Sequence, residues 1–176
     1  ITGSNSGVGA ATAKLFAKEG AKVVISARRL NLLEEVASEI REAGGEVLVV
    51  QTDVSKVEDC ENLVNKAVET FGKVDVLVNN AGAVMGERTE TENGIEKTFQ
   101  VNVVGAYLLT MGLIDKLITS KATVIQTSSL ASRFVSKAYD LTDYQNKLGY
   151  SAVKAYAESK LCNILFTRWL DHEYRE

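Results

Sequence analysis

Short β-branched apolar runs alternate with helical patterns along this chain, and that alternation constrains its fold more than any single motif. Runs at 22–27, 46–51, 74–79 and 123–129 read as strands. A helix is predicted over 8–19, with Ala11, Leu15 and Phe16 on one side and Gly20 at its end. Leu30, Leu33, Val36, Ala37 and Ile40 recur at helical spacing until Gly44 and Gly45 stop them. Val57, Cys60, Leu63, Val64, Ala67, Val68 and Phe71 do the same and are closed by Gly72. A long helix is predicted over 93–119 and a final one from Tyr150 to the end. Strands that are apolar without interruption are buried on both faces, and strands joined by helices run parallel. The expected fold is therefore α/β, a doubly wound parallel sheet in a single domain over 1–176. The polar stretch 130–149 is too long for a plain connection and reads as a functional loop.

Charge and composition narrow the partners. The formal net charge is −3, without the basic excess that a nucleic-acid surface needs. No apolar run approaches the ~20 residues that cross a bilayer. The start is polar and glycine-rich, unlike a secretory leader. Cys60 and Cys162 lie far apart, which suits a reducing cytosol better than a disulfide framework, so a cytoplasmic location is expected. His172 and two distant cysteines offer no metal constellation, and no metal is expected.

The chain opens Ile1-Thr2-Gly3-Ser4-Asn5-Ser6-Gly7-Val8-Gly9. A glycine-rich turn leading into a helix lets the backbone approach a pyrophosphate, with the free N–H groups of the helix start aimed at it. No Lys-Ser/Thr pair follows the last glycine, so this is not a P-loop, and the spacing is not G-x-G-x-x-G either. Dinucleotide folds place an acid about 20 residues past the glycines to bind the ribose 2′-hydroxyl of NAD. Here that place holds Arg28 and Arg29. A guanidinium binds a phosphate bidentately, which favours NADP (NADPH) over NAD. Arg28 comes first after the strand and is the stronger candidate; two arginines at a strand end can also be a solvated pair.

Taken together, the motifs resemble the short-chain dehydrogenase/reductase family over the whole length. The resemblance rests on Thr2-Gly3-x-x-x-Gly7-x-Gly9, Asp53-Val54 after a strand, and Asn79-Asn80-Ala81-Gly82 at the end of the next. Asn102 in the long helix, Ser128-Ser129 at a strand end and Tyr156-x-x-x-Lys160 in the last helix complete it. The run Ser159 to Phe166 and the long serine-to-tyrosine gap are similar to the retinol-dehydrogenase-like branch. This implies a Rossmann-like fold and hydride transfer between NADP(H) and a carbonyl or alcohol substrate. The family's glycine turn follows a complete first strand, central in the sheet, and its domain continues past the last helix. The chain is thus expected to be truncated at both ends, an internal piece of a longer protein.

The resemblance also implies roles. Tyr156 would be the proton donor. A free tyrosine ionises near pH 10, too high for easy proton exchange near neutrality. One ammonium about 4 Å away, at an effective dielectric of about 20, supplies roughly 4 kcal/mol towards ionisation. Lys160 lies one turn on and shares a face with Tyr156. Tyr150 and Lys154 form a competing Y-x-x-x-K, with Tyr150 expected at the helix start, covering the core. Ser129 would donate a hydrogen bond to the substrate oxygen, although Ser128 could exchange roles with it. Asn102 would hold a water in a proton relay. Asp53 would accept from the adenine amino group and Val54 would line the ring; alternatively Asp53, with Ser55, belongs to the cap of the next helix. Asn79, Ala81 and Gly82 would pass near the riboses, with Asn80 beside them, and Asn5 would stabilise the glycine turn. A catalytically silent nucleotide-binding regulator is the alternative reading. A homo-oligomer through the long and last helices is expected from the family.

Overall fold

The computed structural model describes residues 1–135 and 141–175. Residues 136–140, within the expected irregular stretch, and residue 176 lie outside the described part. The strands are β1 (Val23–Ala27), β2 (Val47–Gln51), β3 (Val76–Asn79) and β4 (Thr123–Gln126). The helices are α1 (Gly7–Lys18), α2 (Leu30–Glu42), α3 (Val57–Phe71), α4 (Lys97–Phe99), α5 (Gly105–Gly112), α6 (Ile114–Thr119) and α7 (Ala152–Tyr174). A π-helical turn, Gln100–Val104, joins α4 to α5. The described strands pair in parallel, β1 with β2 and β3 with β4, as expected of a doubly wound α/β sheet.

The two pairs meet at the first residues of the chain. Thr2 bridges to Ser26 in parallel, and its N–H donates to the Val78 carbonyl at 3.0 Å. Residues 1 and 2 therefore occupy a central position between β1 and β3. Beside them the facing edges of β1 and β3, with α1, α3 and α5, enclose an apolar slot of about 380 Å³.

Several boundaries differ from the expectation for local reasons. The final helix begins at Ala152, because the Ser151 side chain accepts from the Lys154 N–H and caps it there. Tyr150 is thus ahead of the helix. The long helix begins at Lys97, because the Glu96 carboxylate accepts from the Thr98 and Phe99 N–H groups. β4 stops at Gln126, so the serines lie beyond the sheet. On α1 the buried residues are Gly9, Ala10, Ala13 and Ala17, not the expected Ala11 and Leu15. Small side chains let this helix sit close to the sheet, which leaves Leu15 54% exposed. The core around β1 is otherwise as patterned, with Ile25, Leu33 and Ala37 fully buried.

Candidate active site

The glycine turn needs its glycines for two different reasons. Gly3 and Gly7 have φ of +63° and +55°, a region side chains rarely adopt. Gly9 has an ordinary backbone but no room, since a Cβ there would lie 2.4 Å from the Gly3 oxygen. The turn delivers α1 with no side-chain cap from Ser6, which leaves its first N–H groups open to an anion. Gly7 and Val8 are exposed at the head of this helix. Ser4 is buried; its hydroxyl donates to the Ile1 carbonyl at 3.0 Å and accepts from the Ser26 N–H at 2.8 Å. It is a strut inside the turn.

Thr2 ties this turn to the loop after β3. Its Oγ1 accepts from the N–H groups of Asn80 at 3.0 Å and Ala81 at 2.9 Å. Asn80 in return donates to the carbonyls of Thr2 at 3.0 Å and Gly3 at 3.3 Å. A polar cleft of about 240 Å³ lies between, with Gly3, Asn5 and Ser6 on one wall. Arg28, Arg29, Asp53 and Val54 form another wall, and Asn80, Ala81 and Gly82 a third. Asn79 takes no part: it is buried and donates to Thr110 Oγ1 at 2.9 Å, anchoring the end of β3 to α5.

The two arginines differ. With the Asn5 amide oxygen turned to the guanidinium, it accepts from Arg29 Nη2 at 2.6 Å and Nε at 2.8 Å. Arg29 Nη2 also donates to Ser6 Oγ at 3.3 Å. The Arg28 side chain has no described partner; its carbonyl accepts from Gln51. Asn5 thus steadies the turn through Arg29, which sequence position alone ranked second. Asp53 Oδ1 accepts from the Ser55 N–H at 3.0 Å and hydroxyl at 2.7 Å; α3 starts after Lys56 with no side-chain cap, so this pair forms a turn ahead of the helix and not its cap, and Asp53 also borders the cleft.

At the other end, Lys160 is 3% exposed. Its Nζ donates to the Thr127 carbonyl at 2.9 Å and lies 5.6 Å from the centre of the Tyr156 ring. Burial penalises the ammonium and pulls its pKa below the ordinary lysine value. A Cβ on Gly82 would come within 3.3 Å of this Nζ, so the cleft wall and the lysine adjoin. Tyr150, the competing tyrosine, donates to the Met85 carbonyl at 2.8 Å and lies 3.3 Å from Thr98 Oγ1. Its would-be partner Lys154 is exposed.

Asn102 sits in the π-helical turn and is 1% exposed. Its Oδ1 accepts from the Ala83 N–H at 2.8 Å. Its Nδ2 donates to the Ala83 carbonyl and to Ser159 Oγ, both at 2.9 Å. Ser159 in turn donates to the Tyr156 carbonyl at 2.7 Å. An amide offers two donors and two lone pairs, so most of this one is used on protein. The side chain brackets the loop after β3 to α7. The two serines also separate. Ser128 donates its proton to the Lys160 carbonyl at 2.8 Å. Ser129 Oγ accepts from the Ala131 N–H at 3.2 Å, and its own proton has no described acceptor.

Thr127, whose backbone holds the lysine, carried no sign in the sequence, while Thr2, which closes the cleft, and Ser159 stood in the sequence motifs without a role.

Parallel strands joined by helices, with the glycine turn at the head of α1, make this a Rossmann-like α/β fold. The sequence profile described as short chain dehydrogenase matches residues 1–176, and the chain belongs to that family. It falls in the retinol-dehydrogenase-like branch. It is 37% identical over 173 residues to retinol dehydrogenase 12 of Mus musculus, covering 97% of this chain and 54% of that one. To 11-beta-hydroxysteroid dehydrogenase A of Sesamum indicum it is 40% identical over 136 residues, covering 75% and 39%. The chain thus spans about half the length of the retinol dehydrogenases it matches. Among solved structures, an alcohol dehydrogenase from the archaeon Thermococcus sibiricus complexed with 5-hydroxy-NADP superposes with TM-score 0.80 at 28% identity, covering 99% and 69%. A metagenomic short-chain oxidoreductase in complex with NADP gives TM-score 0.81 at 29% identity, covering 99% and 75%. No helix among the described residues is long and apolar enough to cross a membrane.

Proposed function

We propose that this protein is an oxidoreductase transferring a hydride between NADP(H) and a carbonyl or alcohol substrate. The observation that carries the reading is Lys160, an ammonium buried against the Thr127 carbonyl and beside the Tyr156 ring. A buried lysine with one backbone acceptor is costly to fold, and proton chemistry at Tyr156 gives it a use.

The cleft suits the adenosine and phosphate part of a dinucleotide. Gly7 has open space where a side chain would be, the head of α1 is uncapped, and Arg28 and Arg29 border the far end. Gly3 to Gly9 would hold the pyrophosphate, the arginines a 2′-phosphate, and Asp53 and Val54 the adenine. When bound, the cofactor supplies or accepts the hydride. Tyr156 gives a proton to the carbonyl oxygen, or takes it from the alcohol. Lys160 favours the phenolate through its charge. Ser129, whose proton has no acceptor among the described residues, donates to the same oxygen and offsets developing negative charge. Asn102 keeps Ala83 and Ser159 in place and so holds the Gly82 wall against α7.

Two further elements of the reading rest on surfaces and thiols. Tyr107, Phe166, Trp169 and Tyr174 contact one another in series across α5 and α7, tilted, stacked and edge-on in turn, with centroid separations of 5.5, 5.9 and 6.0 Å. Trp169 and Tyr174 are each 40% exposed, and a second copy covers this face. A cytoplasmic location is part of the same proposal and rests on the wide separation of Cys60 and Cys162 in the sequence. Burial, with Asp59, Asp53 and Glu61 nearby, pushes the Cys60 thiol up to about 12, and it donates to the Val54 carbonyl at 3.7 Å, a structural and unreactive thiol.

The test is NADPH oxidation by the full-length protein across ketones and aldehydes. Turnover is expected, and Tyr156→Phe should reduce it at least about a hundredfold with NADPH binding intact. NADPH binding without turnover on a broad panel would instead support a silent regulator.

A further inference from the structure

The segment 143–150 is tied on three sides. Asp143 closes it internally, its carboxylate accepting from the Lys147 N–H at 2.7 Å and the Leu148 N–H at 3.2 Å. Towards the loop after β3, Gln145 Oε1 accepts from the Glu96 N–H at 3.1 Å and its carbonyl accepts from Arg88 Nε at 3.2 Å. Tyr150 reaches Met85, which borders the nucleotide cleft. The third tie runs to α7: Asn146 Nδ2 donates to Glu158 Oε2 at 2.8 Å.

This last pair is unusual in its surroundings. Glu158 is 5% exposed and Asn146 is 2% exposed. The nearest cation is Lys154, 3.8 Å from Glu158 Oε1 and half in solvent. Asn146 also has φ of +51°, which costs a non-glycine residue about 1 kcal/mol or more. An apolar pair would hold a loop to a helix without burying a carboxylate. Glu158 lies midway between Tyr156 and Lys160 in sequence, on the turn that carries both.

We infer that Glu158 and Asn146 form a latch that sets the spacing between the catalytic turn of α7 and the cleft rim at Met85. Glu158 is a positioning residue: it acts through Asn146, segment 143–150 and Tyr150, and touches neither cofactor nor substrate. The inference rests on the proposed reductase reading for its kinetic part only. Holding two reacting partners at the right separation is worth orders of magnitude, and small misplacements far from the chemistry are felt.

The experiment compares Glu158→Ala, Glu158→Gln, Asn146→Gly and the double variant Asn146→Gly/Glu158→Ala in the full-length protein. Asn146→Gly removes the side chain while easing the positive φ, so folding is preserved. Hydrogen exchange by mass spectrometry is followed across 83–87 and 143–150, alongside kcat/KM and NADPH affinity. Glu158→Ala and Asn146→Gly should each speed exchange in both segments and lower kcat/KM about tenfold, with NADPH affinity unchanged. Glu158→Gln keeps an acceptor and should restore both, and the double variant should be no worse than the poorer single. Unchanged exchange at 83–87, additive losses, or Glu158→Gln behaving as Glu158→Ala would each overturn the latch. If the unaltered protein turns over no substrate, the reductase reading fails, and the exchange data alone decide the latch.

Discussion

The Lys160 ammonium donates to the carbonyl oxygen of Thr127 at 2.9 Å, the one described hydrogen bond this side chain makes. Its folded-state pKa is lowered by burial. At pH values below that folded pKa both folded and unfolded chains carry the proton, and the full burial penalty applies. As the pH rises through it towards the ordinary lysine value of about 10.4, the folded state sheds its proton first. The unfolded state then binds more protons, and stability rises with pH. Lys160→Met is therefore expected to melt no lower than the unaltered protein at neutral pH, with any advantage shrinking towards pH 10, while turnover falls at least about a hundredfold. Melting curves from pH 7 to 10 test this; a variant less stable by the same margin at every pH would contradict it.

Arg29 is held by Asn5 and Ser6, whereas the Arg28 side chain has no partner among the described residues. A guanidinium already in place loses less freedom on meeting a phosphate. Arg29→Ala should weaken NADPH binding about tenfold to a hundredfold, Arg28→Ala less, and neither should much affect NADH. Titration with both nucleotides decides it, and equal losses for NADH would remove the 2′-phosphate from the reading.

The Ser129 proton has no acceptor among the described residues, while Ser128 gives its own to the Lys160 carbonyl. Ser129→Ala should lower kcat by about a hundredfold, in line with loss of a single donor to a developing oxyanion. Ser128→Ala should show mainly as a lower melting temperature. A larger kcat loss for Ser128→Ala would reverse the assignment.

Gly105 and Gly112 lie at opposite ends of α5 and offer a paired test. A Cβ on Gly105 would meet the Val54 carbonyl oxygen at 2.7 Å and the Val54 Cβ at 3.0 Å. Gly105→Ala should cost about 1–3 kcal/mol and, because Val54 borders the cleft, weaken nucleotide binding. A Cβ on Gly112 would find only Val64 Cγ2, at 3.5 Å. Gly112→Ala should raise stability by up to about 1 kcal/mol through helix propensity. Denaturant titrations of both variants check the contrast.

The order and type of elements were legible because apolar runs and helical spacings report burial directly. The glycine turn, the arginine pair and the Tyr156-Lys160 spacing were legible for the same reason: each is local. What escaped depends on residues meeting across the fold. Glu96 and Glu158 belong to no motif in the sequence, yet one caps a helix and the other is buried against Asn146. The π-helical turn at Asn102 leaves no mark on apolar periodicity, since its extra residue is accommodated by partners at Ala83 and Ser159. Alanines on α1 outrank Leu15 in burial because close approach to the sheet, not side-chain size, decides that contact.

The Thr2 hydroxyl accepts from two successive amides 78 and 79 positions away. A nascent chain emerging from the ribosome therefore displays its phosphate turn long before anything stands opposite it. On the proposed reading, a nucleotide that needs both the turn and the Asn80–Ala81 loop is held only once that long-range contact has closed.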